Sequence, residues 1–66
     1  MKATINGEHR ELPDGITLGQ ALRELGVATA GIAVAVNERV AARTEFDRHY
    51  LCDGDAVEII RAVAGG

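Results

Sequence analysis

The group best placed for chemistry is a carboxylate on Gly66, at the end of the segment Ala62-Val63-Ala64-Gly65-Gly66. Glycine has no β-carbon to clash and takes either sign of φ, so Gly65 and Gly66, with Val63 and Ala64 behind them, make an arm thin enough to thread a narrow channel in a partner enzyme. At average glycine usage two glycines close a chain by chance about once in 200, although termini also favour small residues simply because they fray. A terminal carboxylate with a pKa near roughly 3.5 is ionised at neutral pH and is a poor electrophile. It therefore needs activation by ATP, as an acyl-adenylate, before sulfur or an amine can replace its oxygen. Residues 64–66 are expected to be a flexible tail behind a single domain spanning 1–66.

The remaining candidates are weaker. His9 and His49 fall in no metal-ligand spacing such as H-E-x-x-H, and His9, in a polar stretch, is expected to be solvated. Asp53 and Asp55 flank Gly54, which reads as a turn and falls far short of a calcium loop with its further ligands. Cys52 is the one cysteine, so no internal disulfide forms. Its default reading is a small buried hydrophobe, with a redox or acyl-transfer thiol, lowered in pKa by His49 or Arg48, as the other. The sequence contains no phosphate-binding glycine loop, dinucleotide fingerprint or nucleophile elbow. An ATP site must then belong to a partner, and the chain is expected to bind no cofactor or metal and to be no enzyme, but a co-substrate of an activating enzyme.

Sixty-six residues allow one compact domain and exclude a second. Hydrophobic residues at 47% and charged ones at 26% are globular values, but much of the apolar share is alanine and the aromatics are Phe46 and Tyr50, so the core is expected to be small. The net charge of −3, without any cluster of basic residues, argues against nucleic acid. It serves solubility and also suits steering toward a basic groove on another protein. The longest apolar run, Ile32 to Val36, is far below the roughly 18 residues of a membrane span. No apolar signal core follows Met1, and a cytoplasmic protein is expected.

The tail must be carried by something rigid. Met1 to Asn6 alternates at period two, Asn6-Gly7 suits a type I′ turn, and Glu8 to Leu12 pairs back as a polar edge strand closed by Pro13. Thr17 and Gln20 form a capping box ahead of Leu18, Ala21, Leu22 and Leu25, which share one helical face, and Gly26 ends the helix. Ile32 to Val36 reads as a strand covered on both sides or lying centrally. Asn37-Glu38 turns the chain into a short strand at Arg39 to Ala41. From Ala42 to Cys52 no period is clean, and one short helical turn is expected, pinned to the core by Phe46, Tyr50 and Leu51. Asp53-Gly54-Asp55 precedes the last strand, Ala56 to Val63. One helix over a sheet of four or five strands is an α+β architecture with one sheet face open.

In the last strand Val57, Ile59 and Val63 share one side and Ala56, Glu58, Ile60 and Ala62 the other. Burying the first set under the helix leaves Ile60 and Ala62 exposed beside the tail, where they are the candidates for a partner-docking patch.

Taken together, the chain resembles the ThiS family of sulfur carriers of thiamine biosynthesis and, more broadly, the beta-grasp, ubiquitin-like carriers. The resemblance covers the whole chain. It is carried by Gly31-Ile32-Ala33-Val34-Ala35-Val36-Asn37-Glu38 with Val40 and Arg43, by Asp53-Gly54-Asp55, and by Val63-Ala64-Gly65-Gly66. It implies adenylation of Gly66 by a ThiF-like enzyme using ATP, conversion to a thiocarboxylate with sulfur from a cysteine persulfide, and delivery to a ThiG-like thiazole synthase. It also implies that the first and last strands lie parallel, side by side, in the middle of the sheet. The chain departs from the family at Ala42, where Pro often precedes the arginine, which leaves the local turn open. Rival readings are a small-subunit-type sulfur carrier for molybdopterin, a non-catalytic ubiquitin-like interaction module, and a modifier that ends as an isopeptide on lysine.

Overall fold

The computed structural model describes residues 1–61; the sequence expectations for 62–66 lie outside them. Five strands form one mixed sheet: β1 (Lys2–Ile5), β2 (Glu8–Glu11), β3 (Ile32–Val36), β4 (Arg39–Ala41) and β5 (Ala56–Arg61). Their order across the sheet is β2-β1-β5-β3-β4. β1 and β5 are parallel, and every other pairing is antiparallel. This is the beta-grasp arrangement, with β5 at the centre of the sheet.

Helix α1 (Leu18–Glu24) lies across one face. It starts where the sequence dictates. The Thr17 hydroxyl accepts from the Gln20 amide at 3.2 Å and the Gln20 carbonyl Oε1 accepts from the Thr17 amide at 3.0 Å, so two otherwise orphaned donors are satisfied reciprocally. Gly26, at φ +70, closes it. Leu18, Ala21 and Leu22 are buried against Ala3 and Ile5 of β1, Val34 and Val36 of β3 and Val57 of β5, and Phe46 and Leu51 fill the rim.

Two hairpins set the strand directions. Asn6 and Gly7 take φ +51 and +83, and Asn37 and Glu38 take +51 and +69, the paired positive values of a type I′ turn, whose twist matches that of the flanking strands. The first hairpin places the polar β2 on the sheet edge, with all four of its residues exposed, where charged residues discourage edge-to-edge pairing.

Three expectations need correction and one holds in part. β3 lies centrally, paired with β5 on one side and β4 on the other, but only one of its faces is covered: Val34 and Val36 are buried, whereas Ala33 and Ala35 point to the open side. Its apolar run is continuous because alanine tolerates either side. Tyr50 is 65% exposed and does not pin the core; the 43–45 turn is held by Phe46 and Leu51, while Tyr50 takes part in a single bridge to Thr17. Cys52 is exposed rather than buried. Leu12 is buried just past the end of β2, and its amide donates to the Met1 carbonyl. At the departure from the family pattern, Ala42 holds φ −71 and ψ 145, angles proline itself adopts; its N–H donates to Glu45 Oε1 at 3.0 Å.

Candidate functional site

β5 is the element that delivers the C-terminal segment, and its placement follows from its two neighbours. On one side it is bonded to β3 along its length, from Val57 opposite Val36 to Arg61 opposite Ile32. On the other it runs beside β1, with Thr4 level with Ala56 and Ile5 level with Val57. β1 ends at Ile5, and the Asn6 side chain continues its role: Asn6 Oδ1 accepts from the Ile59 amide at 2.7 Å. A central strand gripped this way holds a fixed direction up to Arg61.

The start of β5 is fixed by side chains of the turns. Asp55 Oδ1 accepts from Asn37 Nδ2 at 2.9 Å, Asp55 Oδ2 from the Cys52 amide at 2.8 Å, and Asn37 Oδ1 from the Ala56 amide at 3.0 Å. Asp53 Oδ1 accepts from the Lys2 amide at 2.7 Å. The segment Asp53-Gly54-Asp55 thus joins the β3-β4 turn to the beginning of β1. Its carboxylates are engaged by backbone and amide donors, as a turn reading expects. Among the described residues no three metal-ligating side chains come together.

The open face carries the expected alternation. Val57 is buried and Ile59 half-buried on the helix side, while Ala56, Glu58 and Ile60 face out. Arg61, which the face assignment left aside, falls on the helix side and is exposed because the core has ended by then. Ile60 is 48% exposed. Register brings residues to it that the sequence reading did not assign: Ala33 lies opposite Ile60, Ala35 opposite Glu58, and Val40 opposite Ala35. Val40 is 68% exposed. The result is a low apolar strip of Ile60, Ala33, Ala35 and Val40 across three strands, with Glu58 at its side. Val40 at an edge strand beside a turn was the signal available in the sequence, but its cross-strand neighbour was not.

The other candidates separate. His9 is exposed on β2, and His49 is half-buried between the 43–45 turn and the helix, its carbonyl accepting from the Leu18 amide at 2.8 Å. Cys52 stands outside the strip, in the turn before β5. Ala62, Val63, Ala64, Gly65 and Gly66 lie outside the described residues.

Comparison with known proteins points one way. The model of the ThiS family matches residues 3–66. The sulfur carrier protein ThiS of Thermus thermophilus is 42% identical over 62 residues, covering 94% of this chain and 95% of that protein. A thiazole synthase of Paramagnetospirillum magneticum is 35% identical over 66 residues; the match takes in this whole chain and 20% of that longer protein. Among solved structures, the crystal structure of the thiamine biosynthesis protein (ThiS) of Geobacter metallireducens superposes with a TM-score of 0.87 at 33% identity, each chain covered completely.

Proposed function

The chain belongs to the ThiS family, and from that premise we propose that it is a sulfur carrier protein of thiamine biosynthesis whose working group is the carboxylate of Gly66. A ThiF-like partner attacks ATP with that carboxylate, releasing pyrophosphate and leaving an acyl-adenylate. The terminal sulfur of a cysteine persulfide then displaces AMP, and cleavage of the resulting acyl disulfide by a thiol leaves a thiocarboxylate. A ThiG-like thiazole synthase takes the sulfur into the thiazole ring. ATP is the partner's substrate, and the chain itself is a co-substrate. Residues 1–61 serve as the grip, and 64–66, with Val63, as the part that threads the partner's channel.

The observation that carries this reading is the family match running to residue 66, through the diglycine. The fold supports it by holding β5, the strand that precedes residues 62–66, in the centre of the sheet up to Arg61. Docking is assigned to Ile60 and Ala62, with Val40, Ala33 and Ala35 extending the patch. The match inside a longer thiazole synthase supports the choice of that enzyme class as acceptor, since there the two kinds of segment share one polypeptide.

The test is intact mass after incubation with the activating enzyme, ATP and a sulfur donor. The mass is expected to rise by the difference between sulfur and oxygen, and deletion of Gly66 is expected to abolish the rise without changing the circular-dichroism spectrum. A full-length chain that stays at its original mass under these conditions overturns the reading.

A further inference from the structure

The two edges of the sheet are finished differently. β2 closes one side with Glu8, His9, Arg10 and Glu11, all exposed, and charged side chains of this kind protect an edge from further pairing. β4 closes the other side with Arg39, Val40 and Ala41, and the Val40 side chain stands in solvent. An uncovered edge that presents an apolar residue is a template for another strand.

The parity of the backbone bonds shows what this edge offers. Asn37 and Glu38 are the two central residues of a type I′ turn, so the flanking pair, Val36 and Arg39, exchanges both backbone bonds, and alternation makes Ala35 and Val40 a non-hydrogen-bonded pair. The N–H and C=O of Val40 therefore point away from β3. On the far side of β3 the Asn37 amide donates to the Ala56 carbonyl at 2.8 Å, which fits the same parity. Two residues beyond Val40, at Ala42, the outward groups are already engaged: the N–H donates to Glu45 Oε1 at 3.0 Å and the carbonyl accepts from the Glu45 amide at 2.8 Å. Val40 is left as the residue of β4 whose donor and acceptor both face solvent. Together they are half of a narrow antiparallel pair, which a single residue of another strand completes with two bonds.

The same residue ends the apolar strip of the open face, where Val40 lies opposite Ala35 and Ala33 lies opposite Ile60. A strand added at β4 sets its paired side chain beside Val40 on that face. Edge and strip thus form one surface. Its border is acidic, since Glu38 and Glu58 line a hollow there with Thr4, Asn6 and Ala56. In antiparallel pairing, the residue two positions after the one opposite Val40 comes level with Glu38 on the same face. A second copy of the chain fits this edge poorly. β4 offers three residues, whereas a stable interface takes about 20–30 residues a side, and both copies carry a net charge of −3.

We propose that the free edge of β4 is a strand-docking site for the activating enzyme, an inference that rests on the reading of the chain as a carrier held by its open face. The enzyme lays an extended segment antiparallel to Arg39–Ala41. One apolar residue of that segment takes both bonds at Val40 and packs beside its side chain, and a lysine or arginine two positions later meets Glu38. The rest of the enzyme's surface covers Ala35, Ala33 and Ile60. Main-chain bonds hold such a segment, and the side chains alternating along it select for it.

The test follows hydrogen exchange amide by amide in the full chain labelled with nitrogen-15. In the free chain Val40 is expected to exchange as fast as His9 and Glu11, which point outward on the opposite edge, and Arg39 and Ala41 several-fold more slowly. With saturating activating enzyme, Val40 is expected to slow by at least about tenfold while His9 and Glu11 keep their free rates. Val40→Pro removes the outward N–H without removing a bond of the sheet, and it is expected to weaken the complex about fivefold or more beyond Val40→Ala, with the circular-dichroism spectrum unchanged. If the proline variant unfolds, the exchange rate of Val40 in the unaltered chain decides by itself. A Val40 amide that keeps its free rate within the complex overturns the proposal, and the ATP-dependent mass change still shows whether the proposed function stands. Protection that grows with concentration of the chain alone seats a second copy on the edge, and protection by the thiazole synthase but not the activating enzyme seats that protein there. Either result, or failure of the activating enzyme to bind, overturns the assignment made here.

Discussion

Replacing Asn37 tests how the start of β5 is held. Its side chain makes two hydrogen bonds, to Asp55 and to the Ala56 amide, and its backbone sits at φ +51. A hydrogen bond contributes about 0.5–1.5 kcal/mol net, and at this exposed site the lower half of that range applies, so the pair supplies about 1–2 kcal/mol. Alanine in the left-handed region costs a further 1–2 kcal/mol or so. Asn37→Ala is therefore expected to lose about 2–4 kcal/mol, a large share of the 3–10 kcal/mol or so that a domain of this size possesses. Asn37→Gly keeps the backbone angle free of strain and loses less, by about 1 kcal/mol, even after its greater freedom in the unfolded chain is counted. The measurement is equilibrium urea unfolding followed by far-ultraviolet circular dichroism, with Asp55→Ala and the double variant added. A coupling of about 0.5 kcal/mol or more between positions 37 and 55 is expected for residues in direct contact. If Asn37→Gly proves as damaging as Asn37→Ala, the backbone part of the reasoning is wrong; if neither moves the midpoint, the turn is not holding the strand.

Ile60→Asp should leave the unfolding midpoint nearly unchanged, since the side chain is half in solvent, while cutting activation by the partner enzyme severalfold; normal activation with an intact fold would place docking elsewhere. Leu22→Ala, at a position 1% exposed, should cost about 2–5 kcal/mol and be read as a lowered melting temperature, with activity of the remaining folded fraction unaltered. The Met1 amine has its pKa raised by Asp14. A group whose folded value lies above its unfolded one adds stability that is complete below the ordinary value of 8.0 and fades as pH rises through the folded value. Stability should accordingly decline above about pH 8, and Asp14→Asn should flatten that decline; an unchanged slope in the variant would assign it to other groups.

Much of this molecule was legible in its sequence because the signals are local. A capping box needs Thr17 and Gln20 three apart, a type I′ turn needs Asn6-Gly7, and period two needs only neighbours along one strand. Each sets backbone angles or a buried face without reference to the rest of the chain. The proposed tail chemistry likewise rests on a local feature, the adjacent Gly65 and Gly66.

What pairing decides could not be read that way. Nothing in Ile32 to Val36 says that its alanines face solvent, because alanine is neutral between a buried and an open surface. Tyr50 and Cys52 were assigned inward on residue type alone, yet both lie in irregular backbone, where no period fixes a direction. The strip uniting Ile60 with Ala33, Ala35 and Val40 depends on the register of three strands, and the bonds from Asn37 and Asp55 depend on two turns meeting at one end of the sheet. Sequence by itself determined the elements and the polar edge. Tertiary structure alone decided which surfaces share a face, because strand pairing is a contact between distant segments, and its register is set by how the whole set of apolar faces packs under a single helix.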